Sequence, residues 1–481
     1  MKLAGTNCLI CNCEKTMPLD AAKLGKALGG KVDEIHNHLC RSQLASFESA
    51  LAGDEPVLVA CTQEAPLFLE IAEEIGKPDH VSFVNIRENA GWSADAEKTS
   101  PKIAALLTST QHAAKPARLK SIQSDGMCLV YGAGQQALEM AKLLDEKLSV
   151  TLLLSDEEDI VLPPVSGIPV YRGDIAKAEG SFGRFALTVN NYAPLMPSSR
   201  DTLNFIMARD EAKTECSVIF DMTGGTPLFA GHAHRDGYKR VDPGDPAALL
   251  RAVIELSDMV GEFEKPIYVD YNAETCAHGR SQKTGCTKCL DVCPAGAIAD
   301  AGDTVDIDSG ICGGCGSCHS VCPTGSISYQ YPQRSDVIAR AQTMVSAYTK
   351  AGGAKPVLLV HDDPFGSDMI GAIARHGRGL PANVIPFSMH SVTMMGHVEM
   401  AALFASGVER IHFLADPKKA DELEGLKVET SLCDAILSSL GLSELARCSL
   451  ICDVQPDAVE AVLWSGVQPM NLKVEQFSPV G

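Results

Sequence analysis

Eight cysteines between residues 276 and 322 stand in two rows, and no other feature narrows the fold of this chain so far. The first row is Cys276, Cys286, Cys289 and Cys293, followed by Pro294; the second is Cys312, Cys315, Cys318 and Cys322, followed by Pro323. A shift of 29 residues lays Cys286 on Cys315, Cys289 on Cys318 and Cys293 on Cys322, and carries the Pro-Ala-Gly-Ala-Ile beginning at Pro294 onto the Pro-Thr-Gly-Ser-Ile beginning at Pro323. The unit is an internal duplication. Its second row is the CxxCxxCxxxCP run that wraps a cubane iron-sulfur cluster, with the fourth cysteine serving the other cluster of a pair. Four thiolates must surround a small volume while backbone amides approach the sulfides. Gly313, Gly314 and Gly316 allow that approach because no Cβ intrudes.

The crossed assignment predicts one [4Fe-4S] cluster on Cys276, Cys286, Cys289 and Cys322 and a second on Cys293, Cys312, Cys315 and Cys318. The first row departs from the compact pattern, because nine residues separate Cys276 from Cys286 where the second row has two. Either Cys276 ligates through a longer loop, or the first cluster has three irons or takes another ligand. That loop holds His278 and Arg280; His278 reads as a polar loop residue and His319 as solvent-facing. A structural zinc site built from CxxC pairs is the competing explanation. Tetrahedral zinc requires neither the three-cysteine run nor the repeated CP ending.

At 481 residues the chain is long enough for three or four domains at about 150 residues each. Eighteen cysteines without a secretory leader at the N-terminus argue for a reducing, cytoplasmic setting. No apolar run reaches the roughly 20 residues of a membrane span. The formal charge of -20 repels a phosphate backbone, so nucleic acid is not an expected partner. Acidity of this kind suits docking to a basic patch on a redox partner, and equally serves solubility.

The expected architecture is multidomain α/β, with Rossmann-like parallel-sheet layers flanking a ferredoxin-type (α+β) double-cluster domain. In segment 1–120, buried strands at 56–61 and 81–86 bracket a helix at 66–75. Segment 121–265 reads as a second Rossmann-like layer, with strands at 128–131, 150–154, 168–171, 185–189 and 217–221 and helices at 135–147 and 246–260, in a parallel sheet. The ferredoxin domain spans 266–332, where metal substitutes for a hydrophobic core. Segment 333–481 opens with an amphipathic helix at 334–350 and continues as an α/β docking domain. The chain stops soon after a strand-like stretch at 471–474, which leaves its completeness open.

Two further constellations carry possible chemistry. Near the N-terminus Cys8, Cys11 and Cys13 precede Cys40 and Cys61; Cys11-Asn12-Cys13 has the look of a two-thiolate clip, although free cysteines are often merely buried. Cys128, Cys216, Cys433, Cys448 and Cys452 read as core. Gly132, Gly134 and Ala137 form a GxGxxA turn between strand and helix, the dinucleotide-type fingerprint for FAD or NAD. The acid expected near Leu154 is displaced to Asp156, so a degenerate layer explains the turn as well as a working site does. The Gly-rich turn after Asp221 reads as structural. His232, His234 and His390 offer metal-binding side chains, yet isolated loop histidines usually bind none. No Ser/His/Asp triad, HExxH helix or P-loop is present, and no catalytic residue emerges.

Val57-Leu58-Val59-Ala60-Cys61, Pro66-Leu67-Phe68 and above all the segment from Val84 to Ser93, VNIRENAGWS, resemble the A subunit of heterodisulfide reductase, and the later order of GxGxxA turn and paired ferredoxin run is similar to it. The last segment resembles the small iron-sulfur subunit of the associated hydrogenase, through Asn383 to Phe387 and Gly407 to Ile411. The resemblance implies a third, N-terminal cluster at Cys11, Cys13, Cys40 and Cys61, and FAD at Gly132 and Gly134. In the C-terminal segment the cysteines it implies are absent, with His361, Ser388, His390 and Ser391 nearby instead, so that domain is expected to dock and not to conduct. The expectation for the whole chain is an electron-transfer protein relaying electrons through two [4Fe-4S] clusters to redox proteins of an oxidoreductase complex. The alternatives are an FAD-dependent oxidoreductase subunit and a non-catalytic accessory or sensor module.

Overall fold

Short runs of Val, Ile and Leu, too short for helices, form the buried parallel strands Val57–Val59, Val218–Asp221 and Val357–Asp362. The computed structural model describes residues 1–465 apart from 157–159, 163–166, 201, 230 and 232–234. The strand-like stretch at 471–474 and the histidines His232 and His234 lie outside the described residues. The chain divides into two units: Met1–Pro116, Cys315–Cys322 and the chain from Tyr331 onward form the first, and Ala117–Gly314 with Pro323–Gln330 the second.

In the first unit, Lys2–Leu3, Thr6–Leu9, Val57–Val59 and Val81–Phe83 make a four-stranded sheet in that order, antiparallel at the first pair and parallel beyond it. Val57, Leu58 and Val59 are buried on both faces, as a continuous apolar run in a parallel layer requires. Phe47 of Leu44–Ala52 and Phe68 of Ala65–Glu74 close one face, ring centroids 4.8 Å apart. The second sheet of this unit is wholly parallel, in the order Val384–Met389, Val357–Asp362, Arg410–Leu414 and Cys448–Ile451. Helix Arg334–Lys350 packs along Ser100–Ser109. Lys102, within the latter, is fully buried; its Nζ donates to the carbonyls of Leu380 at 3.3 Å and Pro381 at 2.8 Å. Burial pulls that ammonium's pKa down to about 7 against the opposing charge of Asp95.

The second unit is built on a seven-stranded sheet. Val170–Ser181, Ser149–Asp156, Met127–Ala133, Val218–Asp221 and Tyr238–Arg240 run parallel, and Gly134–Leu144 and Pro246–Ser257 pack against one face. A parallel sheet was expected here, and on one side it is not: Val170–Ser181 and Arg184–Pro194 form a long antiparallel hairpin that Ala212–Cys216 extends. The reason is in the sequence. Phe185, Leu187 and Val189 are buried while Arg184 and Ala186 are exposed and Thr188 and Asn190 half-buried, the period-two pattern of a sheet with one wet face. The turn uses Gly180 and Gly183 at φ +98° and +88°. The cysteine-rich part contributes three two-stranded ladders: Val269–Tyr271 with Ile327–Tyr329, Gly279–Arg280 with Lys283–Thr284, and Ile298–Asp300 with Val305–Ile307. The protein is therefore a multidomain α/β molecule with parallel-sheet layers.

Candidate metal centres

The nine-residue gap before Cys286 folds back on itself. Ser281 and Gln282 take φ +55° and +63° at its tip, Gly279–Arg280 pairs with Lys283–Thr284, and the amide of Cys286 donates to the carbonyl of Ala277 at 3.1 Å. Both ends of the insertion meet there, which returns Cys276 to the neighbourhood of Cys286 and Cys289. Cys289 has its thiol pushed up to about 11 by burial and by the charges of Cys286 and Cys276. His278 lies in a loop, as expected, but buried: it is 1% exposed, with Nδ1 2.8 Å from the Cys286 carbonyl and Nε2 3.4 Å from Asp300 Oδ1. It pins the hairpin from inside.

Cys293 and Cys312 form a second group in the same unit. The amide of Ala297 donates to Cys293 Sγ at 3.3 Å, the kind of backbone-to-sulfur contact a cluster site uses. Cys312 is raised by burial and, more weakly, by the charge of Cys293, while Lys265 opposes the rise. Two buried cations stand beside this group. Lys265 Nζ donates to the Gly310 carbonyl at 2.9 Å and to Asp236 at 2.6 Å; Arg235 donates to the carbonyls of Gly180 at 2.7 Å and Ala295 at 3.0 Å and lies 4.6 Å over the ring of Phe229. Neither was foreseen, since both are remote in sequence from the cysteines. Gly314 takes φ +76°, and a Cβ there would meet the Tyr268 ring at 2.6 Å, so only glycine fits.

Cys315, Cys318 and Cys322 belong to the first unit. Gly316 starts the turn Ser317–Ser320 at φ +78°, and Thr393 Oγ1 donates to the Cys315 carbonyl at 2.7 Å. His319 is not solvent-facing. It is 1% exposed, with Nε2 3.1 Å from Glu399 Oε1; Glu399 also accepts from Arg334 and, at 2.9 Å, from the Gly396 amide. Burial alone would raise the Glu399 carboxyl, but the His319 hydrogen bond and the Arg334 charge hold it at about 2. Among the described residues, no three His, Cys, Asp or Glu side chains already stand in ligating geometry. The backbone sets the neighbourhood of each thiol, and a cysteine has a single χ torsion with which to aim its sulfur.

The N-terminal cysteines converge more closely than their spacing suggested. Thr6–Leu9 and Val57–Val59 are adjacent parallel strands, so Cys11 and Cys61 emerge side by side from their carboxyl ends, the edge at which open α/β sheets take ligands. With Cys13 and Cys40 they line a cavity of about 210 Å³ that also receives Arg41, Gln63, Arg87 and Glu88. Cys8 is not in it; it is buried under the sheet, its thiol pushed up to about 11 by that burial. Cys13, Glu14 and Lys15 hold φ of +51°, +55° and +63°, a left-handed run of non-glycine residues that neighbouring contacts must enforce. The amide of Cys13 donates to Cys11 Sγ at 3.4 Å, and Arg87 Nη1 donates to Cys13 Sγ at 3.6 Å.

At the GxGxxA turn, helix Gly134–Leu144 begins directly after Met127–Ala133, with Gly134 at φ +64°. A Cβ on Gly132 would meet Met222 Cγ at 2.6 Å and Ala137 Cβ at 3.2 Å, so this glycine permits close packing. A bulge between Gly132 and Ala133 leaves Ser155 unpaired and brings Asp156 opposite Ala133, one position closer along the strand than regular pairing would place it. Cys128, Cys216, Cys433 and Cys448 are buried as expected; Cys452 is exposed, just past the end of Cys448–Ile451. His361 is buried 3.5 Å from Asp363, whose carboxylate accepts from Ser388 at 3.1 Å, and the ring of His390 packs edge-on against Tyr331.

Residues 283–332 match the family model of the LdpA Fe-S cluster-binding domain. The chain carries an iron-sulfur cluster-binding domain, and the match takes in every cysteine of the two rows except Cys276. No curated protein matches the chain. Among the described residues no helix is long and apolar enough to cross a membrane.

Proposed function

We propose that this chain is an electron-transfer protein that relays single electrons through two [4Fe-4S] clusters within a larger oxidoreductase assembly. Sequence spacing supports Cys276, Cys286, Cys289 and Cys322 as one ligand set and Cys293, Cys312, Cys315 and Cys318 as the other. When bound, such clusters supply one-electron transfer at potentials set by charge, hydrogen bonding and burial. The observation that carries the reading is the doubled cysteine ladder, seven of whose eight thiols lie within a matched Fe-S cluster-binding domain. Closure of the 277–286 hairpin supports Cys276 as a ligand, because it removes the length penalty that its position implied. Convergence of Cys11, Cys13, Cys40 and Cys61 on one cavity supports a third cluster there.

A second reading, in which the chain also binds FAD at Gly132, Gly134 and Ala137, is favoured by the register that sets Asp156 beside the turn. Anaerobic purification with iron, sulfide and flavin quantified, followed by EPR of the reduced protein, tests both. Cubane signals without flavin are the expected result. Stoichiometric flavin selects the second reading, and the absence of any cubane signal overturns the first.

A further inference from the structure

Arg87 belongs to the VNIRENAGWS segment, and its side chain is only 14% exposed. Each nitrogen of its guanidinium has a role. Nε donates to Glu88 Oε1 at 2.9 Å, Nη2 donates to Gln63 Oε1 at 2.8 Å, and Nη1 is left for Cys13 Sγ. Glu88 and Gln63 are in turn held from the C-terminal domain of the same unit. Arg375, in the last turn of Phe365–His376, donates to Glu88 Oε1 at 2.8 Å and to Gln63 Oε1 at 3.0 Å. Both guanidinium groups lie on the Trp92 ring, at 4.3 Å and 5.1 Å from its centroid, and the Trp92 indole donates to Thr16 Oγ1 at 3.0 Å, three residues beyond Cys13. Two arginines share one buried carboxylate, so this trio carries a net positive charge beside Cys13, while elsewhere on the cavity wall Arg41 is paired with Glu64 at 3.1 Å and Glu14 adds a carboxylate. A fixed cation beside a sulfur ligand stabilises whichever state of the site is more negative, and reduction adds negative charge.

We propose that Arg87 is a positioning residue for the four-thiol site, raising its reduction potential through the Cys13 sulfur, and that Arg375 holds it there, so that the C-terminal domain sets the potential of the N-terminal site. This rests on the reading of a cluster at Cys11, Cys13, Cys40 and Cys61. It assigns the last domain an electrostatic task, one that docking without conduction leaves open.

The test uses the full chain purified anaerobically, with iron counted and an EPR-monitored redox titration. The double variant Cys11→Ala, Cys13→Ala identifies the signal belonging to the cavity by its loss. Unchanged iron per chain in that variant removes the cluster itself and overturns the proposal at its base. With the cluster present, Arg87→Met and Arg375→Met should each retain iron and shift the reduction equilibrium of that signal about tenfold toward the oxidised form, 59 mV for one electron. Arg375 has a side chain 43% exposed, so its variant serves if Arg87→Met fails to fold. Arg378→Met, which loses the pairing with Glu460 and the contact over the Trp464 ring and touches neither Glu88 nor Gln63, should leave the potential in place. Iron retained with a potential moved less than twofold in Arg375→Met, or moved equally in Arg378→Met, overturns the proposal while leaving the cluster standing.

Discussion

Glu399 shows how much a single residue outside the cysteine rows contributes. It is fully buried and binds His319, from within the second cysteine run, together with Arg334 and its own helix N-terminus. Its carboxyl is held at about 2 against an ordinary value of 4.5, so the unfolded chain binds the proton first as pH falls. The stabilisation, about 3 kcal/mol, is complete above pH 4.5 and disappears as pH falls from there toward 2. Glu399→Gln should cost about 3 kcal/mol at neutral pH, since it leaves buried partners uncompensated. Denaturant unfolding of parent and variant at several pH values checks this: the gap should close on acidification. A gap independent of pH would show that the carboxylate charge is not what matters. Nothing in the sequence announces Glu399, because its partners stand 65 and 80 residues away.

At the scale of elements, the hairpin between Cys276 and Cys286 decides whether the first row can act as a set. Its tip places Ser281 and Gln282 in the left-handed region, where residues with a Cβ are strained and Asn-Gly is favoured in a two-residue turn. The double substitution Ser281→Asn, Gln282→Gly should therefore stabilise the loop by about 1 kcal/mol. The expected readout is slower loss of iron to a chelator, at unchanged iron content. Faster loss would show that the hairpin does not hold Cys276 in place. The repeat, the gap and the length of the loop were legible in the sequence. Its hairpin form was not, since neither Ser nor Gln signals a turn of this type. The antiparallel hairpin of the second unit was missed for a different reason: short apolar runs at 168–171 and 185–189 look alike in parallel and antiparallel sheets, and only the alternation from Arg184 to Asn190 separates them.

For the whole molecule, the charge of -20 bears on encounter with partners. Electron transfer to a basic redox protein should slow about tenfold between low and physiological ionic strength, because screening removes long-range attraction. Stopped-flow rates across a salt series check this, and a flat or rising profile would assign the acidity to solubility alone. The sequence by itself determined the cofactor class and the α/β character, because thiol spacing is local chemistry and hydrophobic periodicity is local geometry. Helix Arg334–Lys350 stands where periodicity put it. Only the tertiary structure decided which distant groups share a site. Cys11 and Cys61 meet because two strands far apart in the chain are parallel neighbours, and Arg87, Glu88 and Arg375 meet because two domains of one unit pack together. Such contacts depend on the path of the chain through space, and one-dimensional spacing does not encode that path.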